Sequence, residues 1–149
     1  MKTTNNMIAG DSKTNLSLHK LIDDIIQKSL PGQGKILIKN NVAASVHINT
    51  NESIVASVIG EMLHAMITNA ADGDIDISAK ELFGNTIKVL VKDNNCYNTY
   101  AVACSLQNTV QLAERIGGYL NITNQRQKIT TIEFNFQVIK EEDKQGDDD

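Results

Sequence analysis

The sequence predicts an α/β two-layer sandwich, with three helices packed on one face of a single mixed sheet. Three observations predict it. Val55, Val58, Ile59, Met62, Leu63, Met66, Ile67 and Ala70 recur at helical spacing and form one wide apolar face that must be buried. Ile75, Ile77 and Ala79, then Ile87, Val89 and Val91, alternate with more polar residues as half-buried strands do. The order helix, strand pair runs three times along the chain, and each element has a single apolar side. One layer of helices over one sheet buries all of these sides most simply.

Each element has a local reason. Ser17 is placed as a helix N-cap, with Leu16 and Leu21 forming a hydrophobic staple across it. The helix presents Leu18, Leu21, Ile22, Ile25, Ile26 and Leu30 on one face, and Pro31-Gly32 stops it. Lys35–Lys39 and Ser45–Asn49 read as two strands, and Asn49 with Glu52 as a capping box for the central helix. After Asp72-Gly73-Asp74 the strands at 75–79 and 87–91 turn through Phe83-Gly84-Asn85. Residues 93–98 form a loop by composition. A third helix turns Val102, Leu106, Val110, Ala113 and Ile116 inward and ends at Gly117-Gly118. The last hairpin pairs Tyr119–Thr123 with Ile129–Val138. Residues 1–14 read as a flexible arm, 15–139 as one domain and 140–149 as a disordered acidic tail.

Composition narrows the function classes. With 41% apolar and 21% charged residues the chain is that of an ordinary globular domain. A net charge of −4 and 4% aromatics, with no Trp, argue against a nucleic-acid partner. No apolar run reaches membrane-span length and no signal peptide opens the chain, so cytoplasm is the expected compartment and membrane insertion is not expected. Cys96 and Cys104 match no metal-ligand spacing and read as free thiols.

Asn69, four residues after Ala65 and eight after Glu61, lies on the flank of the central helix's apolar face. An amide there needs a partner. Nearby backbone at the helix end is one possibility; a metal or ligand in an adjoining cleft is the other.

Taken in order, the elements resemble the ATP-binding domain of sensor histidine kinases, whose Bergerat (GHKL) fold is shared with DNA gyrase and some mismatch-repair and chaperone ATPases. Ile22-Asp-Asp-Ile-Ile26 resembles the family's first helix. Met66-Ile-Thr-Asn-Ala70 resembles its N-box, and Val91-Lys-Asp-Asn94 the start of its first glycine box. The run from Val110 to Asn121, with Gly117-Gly118 inside it, is similar to the third helix and following strand, and Thr130-Thr131 to the start of the closing strand. The resemblance covers about Leu16 to Ile139. It implies that Asn69 coordinates the magnesium of bound ATP, that Asp93 bonds the adenine amino group, and that Thr130 lies at the pocket wall. From the residues alone, Asp93 reads equally as a cap for the loop after its strand.

Several positions depart from the family. Ala65 replaces an earlier Asn of the kinases, and it also holds the place of the gyrase-type general base. Glu61 lies two turns away, about 12 Å along the axis. Asp72 and Gly73 replace a cation and an aromatic. An Asp beside a triphosphate costs about 1 to 4 kcal/mol in unscreened repulsion. Asn95 and Tyr97 stand where glycines normally let backbone approach the nucleotide, and Ala103–Leu106 contains no glycine. Only 12 positions separate Asp93 from Ser105, which removes the usual ATP lid.

The expected function is therefore a degenerate histidine-kinase-like domain in two-component-type signalling: a non-catalytic adapter or regulator. It would carry no cofactor and bind a sensor kinase or response regulator, with room for a homodimer. The alternative is an ATP-binding kinase module with a minimal lid, of the histidine-kinase or anti-sigma serine-kinase type, using Mg-ATP. The histidines favour no phosphoacceptor role. His19 is expected off the apolar face beside Lys20, His47 points away from Val46 and Ile48, and His64 lies opposite the apolar stripe.

Overall fold

The computed structural model describes residues 16–29, 36–69, 73–96, 98–126 and 128–138. Residues 1–14, Leu30, Pro31-Gly32, Ala70, Asp72, Tyr97 and the tail, on all of which the sequence carries expectations, lie outside the described residues.

Helix α1 (Leu18–Ser29) follows β1 (Leu16–Ser17). The Ser17 hydroxyl accepts the Lys20 amide at 3.3 Å, the capping bond expected of it. Leu18, Leu21 and Ile22 are buried, while Ile25 and Ile26 are half-buried against the core. The central helix α2 (Glu52–Asn69) buries Val55, Val58, Ile59, Met62, Leu63 and Met66 completely. Its cap is Asn51 and not Asn49: Asn51 Oδ1 accepts the Ile54 amide at 3.0 Å. Asn51 stands immediately before the helix, where a short side chain reaches the third helical N–H.

The main sheet has five strands in the order β2-β4-β5-β7-β6. β2 (Leu37–Asn40) runs parallel to β4 (Asp74–Leu82); β5 (Thr86–Asp93), β7 (Ile129–Gln137) and β6 (Tyr119–Gln125) continue it antiparallel. The expected single sheet needs one correction. β3 (His47–Ile48) does not join it, but pairs with β1 as a separate two-stranded ribbon. The cause lies at the end of β2 and in the loop that follows it. Asn40 donates to the His19 carbonyl and to Asp23, each at 2.9 Å, and Leu18 N–H donates to Val46. These bonds hold the chain against the start of α1, away from the sheet edge.

One face of the sheet is apolar in its central register rows. Ile77, Val91, Ile132 and Ile122 form one row, and Ala79, Val89, Phe134 and Leu120 the next. Phe134 and Phe136 are fully buried, their ring centroids 4.8 Å apart. The opposite face carries Asp76, Lys92 and Thr131 in one row, with a Lys88–Glu133 ion pair at 3.6 Å beside it. All the helices therefore lie over one face, which is the sandwich the sequence predicts.

The helical layer has four members, not three, because the third helix divides at Leu106 into α3 (Thr99–Ser105) and α4 (Gln107–Glu114). Ser105 Oγ bonds back to the Ala101 carbonyl at 3.0 Å, a contact that bends helices. Leu106 then takes φ −104°, ψ 9°. The break shifts the helical frame, so Thr109 is buried and Val110, expected inward, is exposed.

After α4 the chain turns through Gly117 at φ +73°, and Gly118 passes so close to β7 that an added Cβ would lie 2.3 Å from the Asn135 carbonyl oxygen. The two glycines thus answer different constraints. Gly118→Ala should lower stability by about 2 to 3 kcal/mol through overpacking against backbone, and Gly117→Ala by about 1 kcal/mol through its left-handed φ. Denaturant unfolding of both variants checks the order; equal losses would contradict it.

Candidate functional site

Alternation along β5 places Ile87, Val89, Val91 and then Asp93 on the core side, so a carboxylate ends an otherwise apolar row. Asp93 is fully buried, flanked in register by Ile75 and Thr130. Its two oxygens are treated differently. Oδ1 accepts the amides of Asn95 at 2.9 Å and Asp74 at 3.4 Å, which caps the loop after the strand. Oδ2 is buried with no hydrogen-bond partner among the described residues. Burial pushes the Asp93 carboxyl above its ordinary range; the two backbone bonds oppose this, and the nearby Asp74 charge adds to it.

Thr130, across the ladder, is also fully buried, and its hydroxyl is committed. It donates to the Cys96 carbonyl at 3.1 Å and shares its oxygen with the Thr99 hydroxyl at 2.7 Å. Asn124 Nδ2 donates to Thr99 Oγ1 at 2.6 Å. Each hydroxyl has one proton, so the chain runs in one direction: Asn124 to Thr99 to Thr130 to the Cys96 carbonyl. The Cys96 amide donates to the Lys128 carbonyl at 2.8 Å. The loop after Asp93 and the first turn of α3 are thereby fastened to the far end of β6 and β7.

Asn69 ends α2, and its Nδ2 donates to the Ala65 carbonyl at 2.8 Å. This is the backbone bond foreseen for a helix-end Asn. Asp93 and Thr130 are brought together; no described contact joins Asn69 to either. Among the described residues no group of three or more His, Cys, Asp or Glu side chains could hold a metal. Against Mg-ATP, the residues present fit in part. The unpartnered Asp93 oxygen suits an amino group. Thr130 has no proton left to donate, and residues 93–106 contain no glycine to expose converging N–H groups to a phosphate.

The histidines are accounted for locally. His19 is half-buried instead of solvated: its Nδ1 lies 2.7 Å from the Val42 carbonyl, and so carries the proton, and its Nε2 faces Asp23 at 3.4 Å. His47 and His64 are exposed, as expected. Both cysteines are free, Cys96 buried and Cys104 exposed. Thr99 and Asn124 are the site residues that the sequence does not reveal. Thr99 reads there as an ordinary first helical residue, and nothing in the pattern of Asn124 links it to a position 25 residues earlier.

No protein-family profile matches the chain, and no curated protein matches it. Solved structures do. The mycobacterial sensor histidine kinase MprB superposes with a TM-score of 0.67 at 10% identity, over 85% of this chain and 99% of that one. A histidine kinase domain of the Erythrobacter litoralis blue-light activated kinase gives 0.63 at 16% identity, over 88% and 66%. Full-length ShkA in complex with AMPPNP gives 0.71 at 13% identity, over 86% of this chain and 32% of that one, so this chain spans about a third of it. The chain has the fold of the histidine-kinase ATPase domain. No helix among the described residues is long and apolar enough to cross a membrane.

Two substitutions test the site's chemistry. Because the folded carboxyl of Asp93 keeps its proton at pH values where the unfolded chain has lost it, its contribution favours the folded form in acid. That contribution is lost as pH rises through the folded pKa. Asp93→Asn removes the titration, so its melting temperature relative to wild type should rise between about pH 4 and pH 7. A difference that does not change with pH would contradict the burial. Asn69→Ala removes one half-buried helix-end bond and should change stability by no more than about 1 kcal/mol; a loss above about 2 kcal/mol would assign the amide a buried structural role.

Proposed function

We propose that this domain, built on the histidine-kinase ATPase fold, is a non-catalytic signalling module: an adapter or regulator that binds a sensor kinase or response regulator through the surface of the fold. The observation that carries this reading is the fastening of the loop after Asp93. Where the family resemblance puts a nucleotide pocket and its lid, Asn124, Thr99, Thr130 and the Cys96 carbonyl are bonded to one another. A base entering there would have to break the half-buried Thr99–Thr130 bond and the buried Thr130–Cys96 bond, and a buried group left unpaired costs about 1 to 3 kcal/mol. The phosphate end supports the same reading, because no glycine lies between Asp93 and Leu106 to let converging N–H groups meet a phosphate.

One observation favours the second reading, a nucleotide-binding kinase module. Asp93 Oδ2 is buried and unpartnered, and an exocyclic amino group would satisfy it. Loss of a phosphate cradle removes charge-assisted bonds of roughly 1.5 to 3 kcal/mol each. Two such losses carry a micromolar site to about the millimolar range.

Titration with Mg-ATP separates the two. At about a thousand times a micromolar Kd, a bound nucleotide would add roughly 4 kcal/mol to stability. No upward shift of the melting temperature is expected at that concentration. A clear shift that disappears in Asp93→Asn would overturn the adapter reading and establish the kinase module.

A further inference from the structure

The two outer strands of the main sheet differ in the way that matters for association. β2 is four residues long and carries an exposed lysine, Lys39, the kind of residue that discourages a second strand from pairing. β6 spans seven residues, Tyr119-Leu-Asn-Ile-Thr-Asn-Gln125, with no charge and no proline. Its register with β7 is continuous from Tyr119 opposite Asn135 to Gln125 opposite Ile129, so no bulge twists the edge away. No described strand lies on its other side. Leu120 and Ile122 face the core opposite the fully buried Phe134 and Ile132, yet both stay half-buried. Tyr119 is 54% exposed. Among the described residues, no strand therefore pairs the outer backbone groups of β6 or flanks Leu120 and Ile122 on that side.

We infer that β6 is a self-association edge, pairing antiparallel with β6 of a second copy to give a continuous ten-stranded sheet. The occupant is a second copy because the strand is complementary to itself. With Asn121 on the two-fold axis, Leu120 faces the partner's Ile122 and Ile122 the partner's Leu120, while Tyr119 meets the partner's Thr123. Paired residues differ by an even number, so apolar residues stay on the core face and backbone groups meet in matching orientation. The pairing is isologous and closes: both β6 edges are used, and the outer strands of the dimer are the two short β2 strands with Lys39. This inference does not depend on whether the domain binds nucleotide.

The axis supplies the test. Sedimentation of the whole chain should show the mass rising with concentration toward twice 16.3 kDa. Asn121 is exposed on the open face, so charged substitutions there leave the core alone. Asn121→Lys and Asn121→Glu should each be folded and monomeric, since like charges meet at the axis, and an equimolar mixture of the two should recover the dimer. Lys39→Glu on β2 should leave it unchanged. A wild-type chain that stays monomeric, or a dimer that survives Asn121→Lys, overturns the inference. Hydrogen exchange of the wild-type chain tests the same pairing without substitution: amides of β6, and not of β2, should slow as concentration rises, and unslowed β6 amides overturn it.

Discussion

The hydroxyl of Thr130 is the constraint on which the functional end of this domain depends. It sits in a fully buried position on β7, accepts from Thr99 and donates to the Cys96 carbonyl. Through it, the start of α3 and the loop after β5 share one bonded network with the end of β6. A neutral hydrogen bond contributes only about 1 kcal/mol net, but a buried group left unpaired costs more than that, so the members hold each other in place. The network stands on a sheet whose apolar face is continuous across β4, β5, β7 and β6, and that face positions it. Thr130 can reach Cys96 because the β5–β7 register sets it opposite Asp93.

Asp93 is the counterweight. A carboxylate at the end of an apolar row loses hydration, and one of its oxygens regains nothing from the described residues. The other caps the loop through Asn95. The residue therefore serves the loop with one oxygen and leaves the second available, and the two readings of it from sequence are divided between its own atoms. A buried polar group without a partner is the feature one expects where a ligand once bound or still binds. The closed hydroxyl chain beside it, and the missing glycines, weigh toward a surface that acts on proteins.

Much of this architecture was legible from periodicity. The central helix, the β4–β5 hairpin and the closing strand each repeat apolar residues at an unambiguous period, so their buried faces could be named residue by residue. What was not legible depended on pairing or on single side-chain bonds. His47 and Ile48 alternate like any strand, but alternation does not say which strand they join, and the Asn40 bonds to α1 decide that. Periodicity alone therefore puts Ser45–Asn49 in the wrong sheet. The division at Leu106 follows from a serine folding back on its own helix, a choice that helical spacing cannot reveal, and it is why Val110 lies outside. At the site, Asp93 and Thr130 stand out because the family resemblance picks them. Thr99 and Asn124 do not, because their link is purely three-dimensional.

The loop after Asp93 is held closed, and its backbone amides report on that state directly. The Cys96 amide is bonded to Lys128 and the Asn95 amide to Asp93 Oδ1. Native-state hydrogen exchange at these two amides measures how often the loop opens. Protection approaching that of the central amides of β5 and β7 is predicted, with no change on adding Mg-ATP. Exchange at the rate of an open loop, slowed by nucleotide, would contradict the account.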